Sequence, residues 1–178
     1  MAFNIHRFID RTPELPYFVI ALFYLFSTST PASIRIFARA FLFVAVSLAV
    51  GLLLKSCFKT KRPRNHYDLP ALRYDFPSLH SMISAGMIVF VYFVNPLYAL
   101  LLIPVGAFYL YSRIKFRAHS VAGVIGGACI GILLGFAFGL SLSAFDIPED
   151  LELVLSIMLL CMPLFSAAFR IRYSKRID

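Results

Sequence analysis

Six apolar segments separated by short polar stretches run through the chain, and they constrain its fold more than any other feature. The segments cover Leu15–Ser27, Ile36–Leu54, Met82–Val94, Leu97–Tyr111, Val121–Leu142 and Leu151–Phe169. An α-helix needs about 20 residues to cross the hydrocarbon core of a bilayer, and fewer where flanking side chains reach the interface. The pattern therefore predicts an all-α, polytopic transmembrane helical bundle with about six spans, and it leaves open whether the first segment crosses completely.

The composition favours a membrane protein over a soluble one. Hydrophobic residues make up 60% of the 178 residues, charged residues make up only 15%, and the mean hydropathy is +0.82. A soluble domain of this size cannot bury so much apolar surface. No repeat, low-complexity tract or linker divides the chain, so we expect a single integral-membrane domain over residues 1–178.

The charge of the chain points to an anionic ligand. The formal net charge is +8, and the basic residues fall in short loops between the apolar segments. This distribution favours lipid head groups or a phosphorylated substrate as the partner, and it argues against nucleic acid. One stretch, residues 55–80, holds six of the seventeen lysines and arginines and ends in a Pro-Ser-Leu-His turn.

Alternating spans place three parts of the sequence on one side of the bilayer. The second span ends on the face where the third begins, and the fourth and fifth spans meet on that same face. Lys55, the loop that ends at His80, and the segment Tyr111–Ser120 are therefore expected to lie together. This relation holds even if the first segment does not cross the membrane.

The side chains gathered on this face suit a phosphoryl group. Arginine presents a planar fork that matches phosphate oxygens, and helix N-termini add oriented N–H groups. Two imidazoles beside the cations suggest that one attacks phosphorus while the other protonates the leaving oxygen. No carboxylate-rich cage lies near these loops in the sequence, so we expect no metal and no cofactor. The candidate residues are Lys55, Arg62, Ser78, His80, Arg113 and His119.

Three short motifs in these loops carry a family resemblance. The stretch KSCFKTKRP at Lys55–Pro63 fits the pattern K-x6-R-P, and PSLH at Pro77–His80 resembles P-S-G-H. The stretch SRIKFRAH at Ser112–His119 fits S-R-x5-H. In order and spacing the chain resembles the type 2 phosphatidic acid phosphatase superfamily, the membrane lipid phosphatases related to vanadium haloperoxidases.

The resemblance implies a helical bundle in which His119 is the nucleophile that forms a phosphohistidine and His80 is the general acid. Leu79 stands where the family pattern has glycine, and its backbone N–H is retained. The phosphate-binding residues that the resemblance implies are Lys55, Arg62, Ser78, Leu79 and Arg113.

Gly123 is a second departure from the family pattern. The third motif normally continues as H-x3-D, and its aspartate orients the nucleophilic imidazole and stabilises the charged form of the ring. Asp75 and Asp68 are the nearest carboxylates in sequence on the same face. We expect Asp75 to be the orienting group because it lies two residues before the Pro-Ser-Leu-His turn. A backbone carbonyl is the alternative.

The small chain leaves little protein outside the bilayer to recognise a large head group, which favours a lipid phosphate that reaches the site laterally. Lipid A 1-phosphate, undecaprenyl pyrophosphate, phosphatidylglycerol phosphate and phosphatidic acid all fit the chemistry. The alternative is a non-catalytic member of the same fold that binds lipid phosphate or serves as a scaffold. Two imidazoles favour catalysis, because binding alone does not need both.

Two indications disagree about which face of the membrane holds the site. With six spans, fifteen of the seventeen basic residues lie on the face of the site and only Arg35 and Arg39 on the other, so the positive-inside rule favours the cytoplasm. Bacterial members of the family that the chain resembles usually work on the outer face, and the site itself explains part of the basic excess. We therefore expect a multi-pass protein of the inner membrane with its site at the membrane–water interface on the periplasmic side.

Overall fold

A computed structural model describes residues 31–63 and 73–144 of the chain. The described part is all-helical and contains no β-strand, only an isolated bridge between Lys61 and Tyr74. The predicted segments Leu15–Ser27 and Leu151–Phe169 lie outside the described residues. The helices are α1 (Pro31–Phe58), α2 (Leu79–Val94), α3 (Pro96–Lys115) and α4 (Val121–Ala144).

Three of the described helices are long and apolar enough to cross a membrane. The apolar stretches are Arg39–Phe58 in α1, Pro96–Lys115 in α3 and Val121–Ser141 in α4. Helix α2 is apolar but has only 16 residues. The described structure is thus compatible with a polytopic membrane protein, whereas the total of about six spans stays a prediction.

The connection between α2 and α3 is a single residue, Asn95. Its side-chain Oδ1 accepts a hydrogen bond from the backbone N–H of Leu97 at 2.9 Å, and Pro96 occupies the first position of α3. An asparagine N-cap followed by proline is a strong helix-start signal, because proline has no N–H to leave unpaired there. The chain therefore reverses between α2 and α3 and packs them side by side.

Helices α2 and α4 approach each other so closely that their backbones touch. A β-carbon added at Gly131 would overlap the carbonyl oxygen of Met82, and one added at Gly135 would overlap that of Gly86. Small residues permit this approach between helices in membranes. The contact fixes the start of α4 against the start of α2. Helix α2 begins within the second motif, and α4 begins two residues after the third motif ends.

A small apolar core holds α1 and α3 against this pair. Phe43 of α1 stacks on Phe90 of α2 with ring centroids 6.1 Å apart, and Leu102 of α3 is buried in the same cluster. Aromatic pairs of this kind add to the area that they bury. The core lies toward the end of the bundle away from Lys55, so it leaves the motif-bearing ends of the helices to form a separate polar cluster.

Candidate functional site

The two connections on the motif-bearing side of the bundle come together at its end. The first connects α1 to α2 through residues 59–78, of which 64–72 lie outside the described part. The second, residues 116–120, connects α3 to α4. Lys59 and Arg117 adopt positive φ angles of 47° and 53°, and each turns the chain sharply just after a helix ends. These turns direct both connections over the same helix ends.

Lys55 and Arg62 are both anchored to the backbone just before the Pro-Ser-Leu-His turn. The Lys55 ammonium is fully buried and donates to the carbonyl oxygens of Tyr74 at 2.7 Å and Asp75 at 3.2 Å. Arg62 Nε donates to the same Tyr74 oxygen at 3.0 Å. Because burying a cation is costly unless it is hydrogen-bonded, these contacts stabilise Lys55 and also fix the position of Asp75.

His119 is brought beside Arg113 by the turn that follows α3. The backbone N–H groups of Ala118 and His119 both donate to the carbonyl oxygen of Arg113, at 3.0 and 3.2 Å. Arg113 lies in the last turn of α3 and is almost completely buried, and its Nε donates to Ser112 Oγ at 3.3 Å. The third motif therefore folds back on itself, and Arg113 and His119 become neighbours.

The imidazole of His119 lies between a carboxylate and a guanidinium group. Its Nδ1 is 2.8 Å from Asp75 Oδ1, and its Nε2 is 2.9 Å from Arg62 Nη2. An ionised carboxylate only accepts and a guanidinium only donates, so Nδ1 carries the proton and Nε2 carries the lone pair. This is the tautomer in which Nε2 can act as a nucleophile.

Asp75 is held in its ionised form despite being buried. Its carboxylate accepts hydrogen bonds from the Ser120 N–H at 3.0 Å, from the Ser120 hydroxyl and from His119. Burial raises the pKa of the Asp75 carboxyl, but the hydrogen bonds from Ser120 and His119 outweigh it and lower the net pKa below the ordinary value. The group is therefore an acceptor at neutral pH.

His119 is neutral at physiological pH for related reasons. Burial, followed by the charges of Arg62 and Lys55, lowers the pKa of His119, and the Asp75 carboxylate opposes this only in part. A group with a lowered pKa loses its proton at a lower pH, so the imidazole keeps its lone pair across the neutral range. The approach of a phosphate dianion would offset the two cations and favour the charged ring.

The Pro-Ser-Leu-His turn forms the start of α2, next to this cluster. Ser78 is the N-cap of α2, its Oγ accepts from Ser81 Oγ at 3.0 Å, and its N–H donates to the carbonyl oxygen of Gly123 at 2.9 Å. His80 lies within electrostatic range of Arg113 and His119. Its Nε2 is buried and has no hydrogen-bond partner among residues 31–63 and 73–144.

At both departures from the family pattern, a glycine leaves room for a neighbouring side chain. The side chain of Leu79 is buried against Gly51 of α1, where a β-carbon would overlap its Cδ2. A β-carbon added at Gly123 would lie 3.0 Å from Asp75 Oδ2. The missing aspartate of the third motif is thus replaced in space by the carboxylate of Asp75, which comes from the second motif region.

The structure brings the expected site residues together, with one addition. Ser120, which the sequence reasoning did not single out, donates to Asp75 through both its backbone and its hydroxyl. The only signal in the sequence is a serine directly after His119. Asp68 lies outside the described residues. In the described part of the chain, no group of three or more His, Cys, Asp or Glu residues is arranged to hold a metal ion.

The fold is helical, three of the described helices are long and apolar enough to cross a membrane, and a buried imidazole lies among cations. Comparison with known families identifies the class of protein to which this arrangement belongs. A family model described as the PAP2 superfamily matches residues 36–145, which is more than half of the chain and includes all three motifs. The chain therefore belongs to the PAP2 superfamily, whose members are generally phosphatases. Searches of curated proteins and of solved structures found no match.

Proposed function

We propose that this protein is a metal-independent phosphatase that hydrolyses a lipid phosphate monoester or pyrophosphate through a phosphohistidine. The observation that carries the proposal is the imidazole of His119, fixed with its Nδ1 proton on Asp75 and its Nε2 lone pair toward Arg62. A structural histidine does not need a buried carboxylate on one nitrogen and a cation on the other. A nucleophile that attacks an anionic phosphoryl group needs both.

In the first step, the Nε2 lone pair of His119 attacks phosphorus, and the bond between phosphorus and the leaving oxygen breaks. The bound phosphate dianion offsets the cations around His80 and favours its charged form, which gives its proton to that oxygen. The lipid then leaves as an alcohol or, from a pyrophosphate, as a monophosphate. The entering phosphate takes over the Arg62 guanidinium that rests on Nε2 before binding. Equatorial oxygens of the transferring group bind the cations Lys55, Arg62 and Arg113, the hydroxyl of Ser78 and the N–H group of Leu79.

In the second step, water attacks the phosphohistidine and loses a proton to His80, now in its neutral form. The bond between phosphorus and Nε2 breaks, inorganic phosphate leaves, and both histidines return to their starting states. Asp75 stabilises the positive charge that forms on the His119 ring in each step, because its carboxylate lies 2.8 Å from Nδ1. We assign Asp75 this orienting role.

The substrate is proposed to be a membrane lipid that enters from the bilayer. Large apolar side chains are exposed along α3 and α4, as on a surface that faces lipid, and they include Leu100, Leu101, Leu133 and Phe136. Lipid A 1-phosphate, undecaprenyl pyrophosphate, phosphatidylglycerol phosphate and phosphatidic acid all present the required group. We propose the inner membrane as the location, with the site at the outer membrane–water interface.

The test is release of inorganic phosphate from a panel of these four lipid phosphates by the purified protein in detergent. We expect release to continue with EDTA present and to be blocked by vanadate. Vanadate adopts a trigonal bipyramidal geometry like that of the transferring phosphoryl group, and transition-state analogues bind more tightly than substrates. Lys115→Ala serves as a matched control, because Lys115 is a basic residue at an exposed position outside the cluster.

Activity that disappears with EDTA and returns with magnesium would contradict the metal-independent mechanism. Binding of lipid phosphate without any release of phosphate would instead support a non-catalytic binding or scaffold protein. The Lys115→Ala variant should match the parent in either assay, and it shows whether a lost basic charge alone lowers activity.

A further inference from the structure

The carboxylate of Asp75 is held by groups that lie outside the three motifs. Ser120 N–H donates to Oδ1 at 3.0 Å, and the Ser120 hydroxyl donates to Oδ2. That hydroxyl in turn accepts from the N–H of Gly123 at 3.0 Å. Because an ionised carboxylate can only accept, the proton of the Ser120 hydroxyl is directed to Asp75, and the N–H of Gly123 is accepted by a lone pair of the same oxygen.

Gly123 supplies the space that the carboxylate occupies. A β-carbon at this position would lie 3.0 Å from Oδ2, 3.1 Å from Cγ and 3.1 Å from Oδ1 of Asp75. The backbone of Gly123 has little freedom to retreat, because its carbonyl oxygen accepts the N–H of Ser78 at 2.9 Å. Any side chain at residue 123 therefore pushes the Asp75 carboxylate rather than moving aside.

We infer that Ser120 and Gly123 form a seat for the Asp75 carboxylate, and that Ser120 is a positioning residue that acts on His119 through Asp75. The term carboxylate seat refers to the Ser120 N–H, the Ser120 hydroxyl and the space above Gly123. The effect of the seat on turnover rests on the proposed function. Its effect on the His119 imidazole does not, and this makes the two claims separable.

The seat fixes the rotation of the carboxylate about its last bond. Oδ2 is held by the Ser120 hydroxyl, so Oδ1 is the oxygen that faces His119 Nδ1. Without the hydroxyl, only the backbone N–H of Ser120 and the imidazole itself hold the group. The carboxylate is then free to turn, and of the two partners that select the Nδ1–H tautomer of His119, Asp75 and Arg62, only Arg62 stays in place.

The experiment compares Ser120→Ala with Ser120→Thr and with the parent in the full chain in detergent micelles. The readout is ¹⁵N NMR of the imidazole nitrogens at neutral pH. The chain has only four histidines, and His119→Gln identifies the resonances of residue 119. We expect the parent and Ser120→Thr to show the Nδ1–H tautomer and Ser120→Ala to show a mixture of both tautomers. Ser56→Ala is the matched control, because Ser56 is an exposed serine whose hydroxyl donates to Leu53 of its own helix.

Turnover should change in parallel, with a specific pattern. We expect kcat to fall about tenfold in Ser120→Ala, as for the loss of one supporting contact around a reactive imidazole. The KM should stay within about twofold, because the Ser120 hydroxyl is engaged by Asp75 and Gly123 and is not one of the proposed phosphate-binding groups. Ser120→Thr should recover most of the parent kcat, since threonine keeps the hydroxyl.

Gly123→Ala is the second variant, and it keeps every hydrogen-bond donor of the seat. Alanine is favoured over glycine in a helix, so a change in His119 is not caused by a weaker α4. The added methyl group pushes the carboxylate, and we expect the same mixture of tautomers as in Ser120→Ala. This variant decides the matter if Ser120→Ala does not fold.

The inference is overturned if His119 keeps the pure Nδ1–H tautomer in the folded variants of Ser120 and Gly123. A mixed tautomer in those variants supports the carboxylate seat, even if the parent protein releases no phosphate from any lipid. If the tautomers are mixed but the parent releases no phosphate, the proposed function is wrong and the inference about the carboxylate seat is still supported. Parent-level kcat in both variants, together with unchanged tautomers, would reduce Ser120 to a capping residue of α4.

Discussion

His119→Ala is expected to abolish phosphate release, with a loss of at least about 10³-fold in kcat, as for removal of a nucleophile that forms a covalent intermediate. The substitution leaves the cations in place and removes only the group whose Nε2 faces Arg62. Binding of the lipid phosphate should therefore persist. The measurement is the steady-state rate of phosphate release, with lipid affinity determined separately by equilibrium binding.

His66→Ala is the matched control for this substitution, because it removes an imidazole that belongs to none of the three motifs. It should release phosphate at the parent rate. Full activity in His119→Ala would refute the phosphohistidine mechanism. It would leave the membership of the chain in the PAP2 superfamily untouched, because that rests on residues 36–145 as a whole.

Asp75→Asn should lower kcat by up to about 10⁴-fold, which is the loss that the equivalent amide substitution causes in a Ser-His-Asp triad. An amide of the same shape removes the negative charge beside Nδ1, and its NH₂ group favours the wrong tautomer of His119. Folding and lipid binding should be nearly unchanged, because the backbone of Asp75 still accepts from Lys55. Phosphate release and the melting temperature of the same samples test both statements.

A carboxylate introduced at residue 123 is expected to restore part of the kcat that is lost when Asp75 is replaced. Adding Gly123→Asp to the Asp75→Asn variant crowds the amide, because the space at residue 123 is filled by the residue 75 side chain. Asp75→Ala combined with Gly123→Asp removes that side chain first, and the new carboxylate starts where the old one was seated. We expect this double variant to exceed Asp75→Ala in kcat. Parent-level activity in Asp75→Asn would show that a carbonyl, or no partner, orients His119.

Much of the site follows from the sequence because membrane topology is a strong constraint. Once the apolar segments alternate across a bilayer, Lys55 and His119 must lie on the same face whatever the details of packing. Short motifs then identify individual side chains. Even the relation between Asp75 and His119 is accessible, since a missing carboxylate at Gly123 directs attention to the nearest acids in the loops.

The remaining contacts depend on distances between loops, which no pattern of residue types encodes. Lys55 donates to two backbone carbonyls, and Arg62 donates to Nε2 of His119. Ser120 holds Asp75 through a hydroxyl whose partner is 45 residues away in sequence. These contacts result from the close packing of α2 on α4, which is permitted by glycines such as Gly131. The sequence shows where the glycines are, but it does not show which side chains become neighbours when the helices pack at them.

Helix ends were also only partly predictable, for a related reason. Apolar segments mark where a chain meets lipid, whereas a helix continues as long as its backbone hydrogen bonds are favourable. Helix α1 extends beyond the predicted Leu54 to Phe58, and α3 extends beyond Tyr111 to Lys115. The extra turns are polar, and they carry Lys55 and Arg113. Two of the three candidate phosphate-binding cations, Lys55 and Arg113, therefore lie on helices, whereas Arg62 lies in the connection between α1 and α2.

The most direct test of the account is to trap the covalent intermediate. The purified protein is mixed with a lipid phosphate labelled with ³²P at its terminal group, quenched in alkali within milliseconds to seconds, and mapped by mass spectrometry. We predict label that is stable to base and labile to acid, attached to His119, and absent from His119→Ala. Label on any other residue, or steady release of phosphate with no labelled protein at any quench time, would contradict the phosphohistidine mechanism.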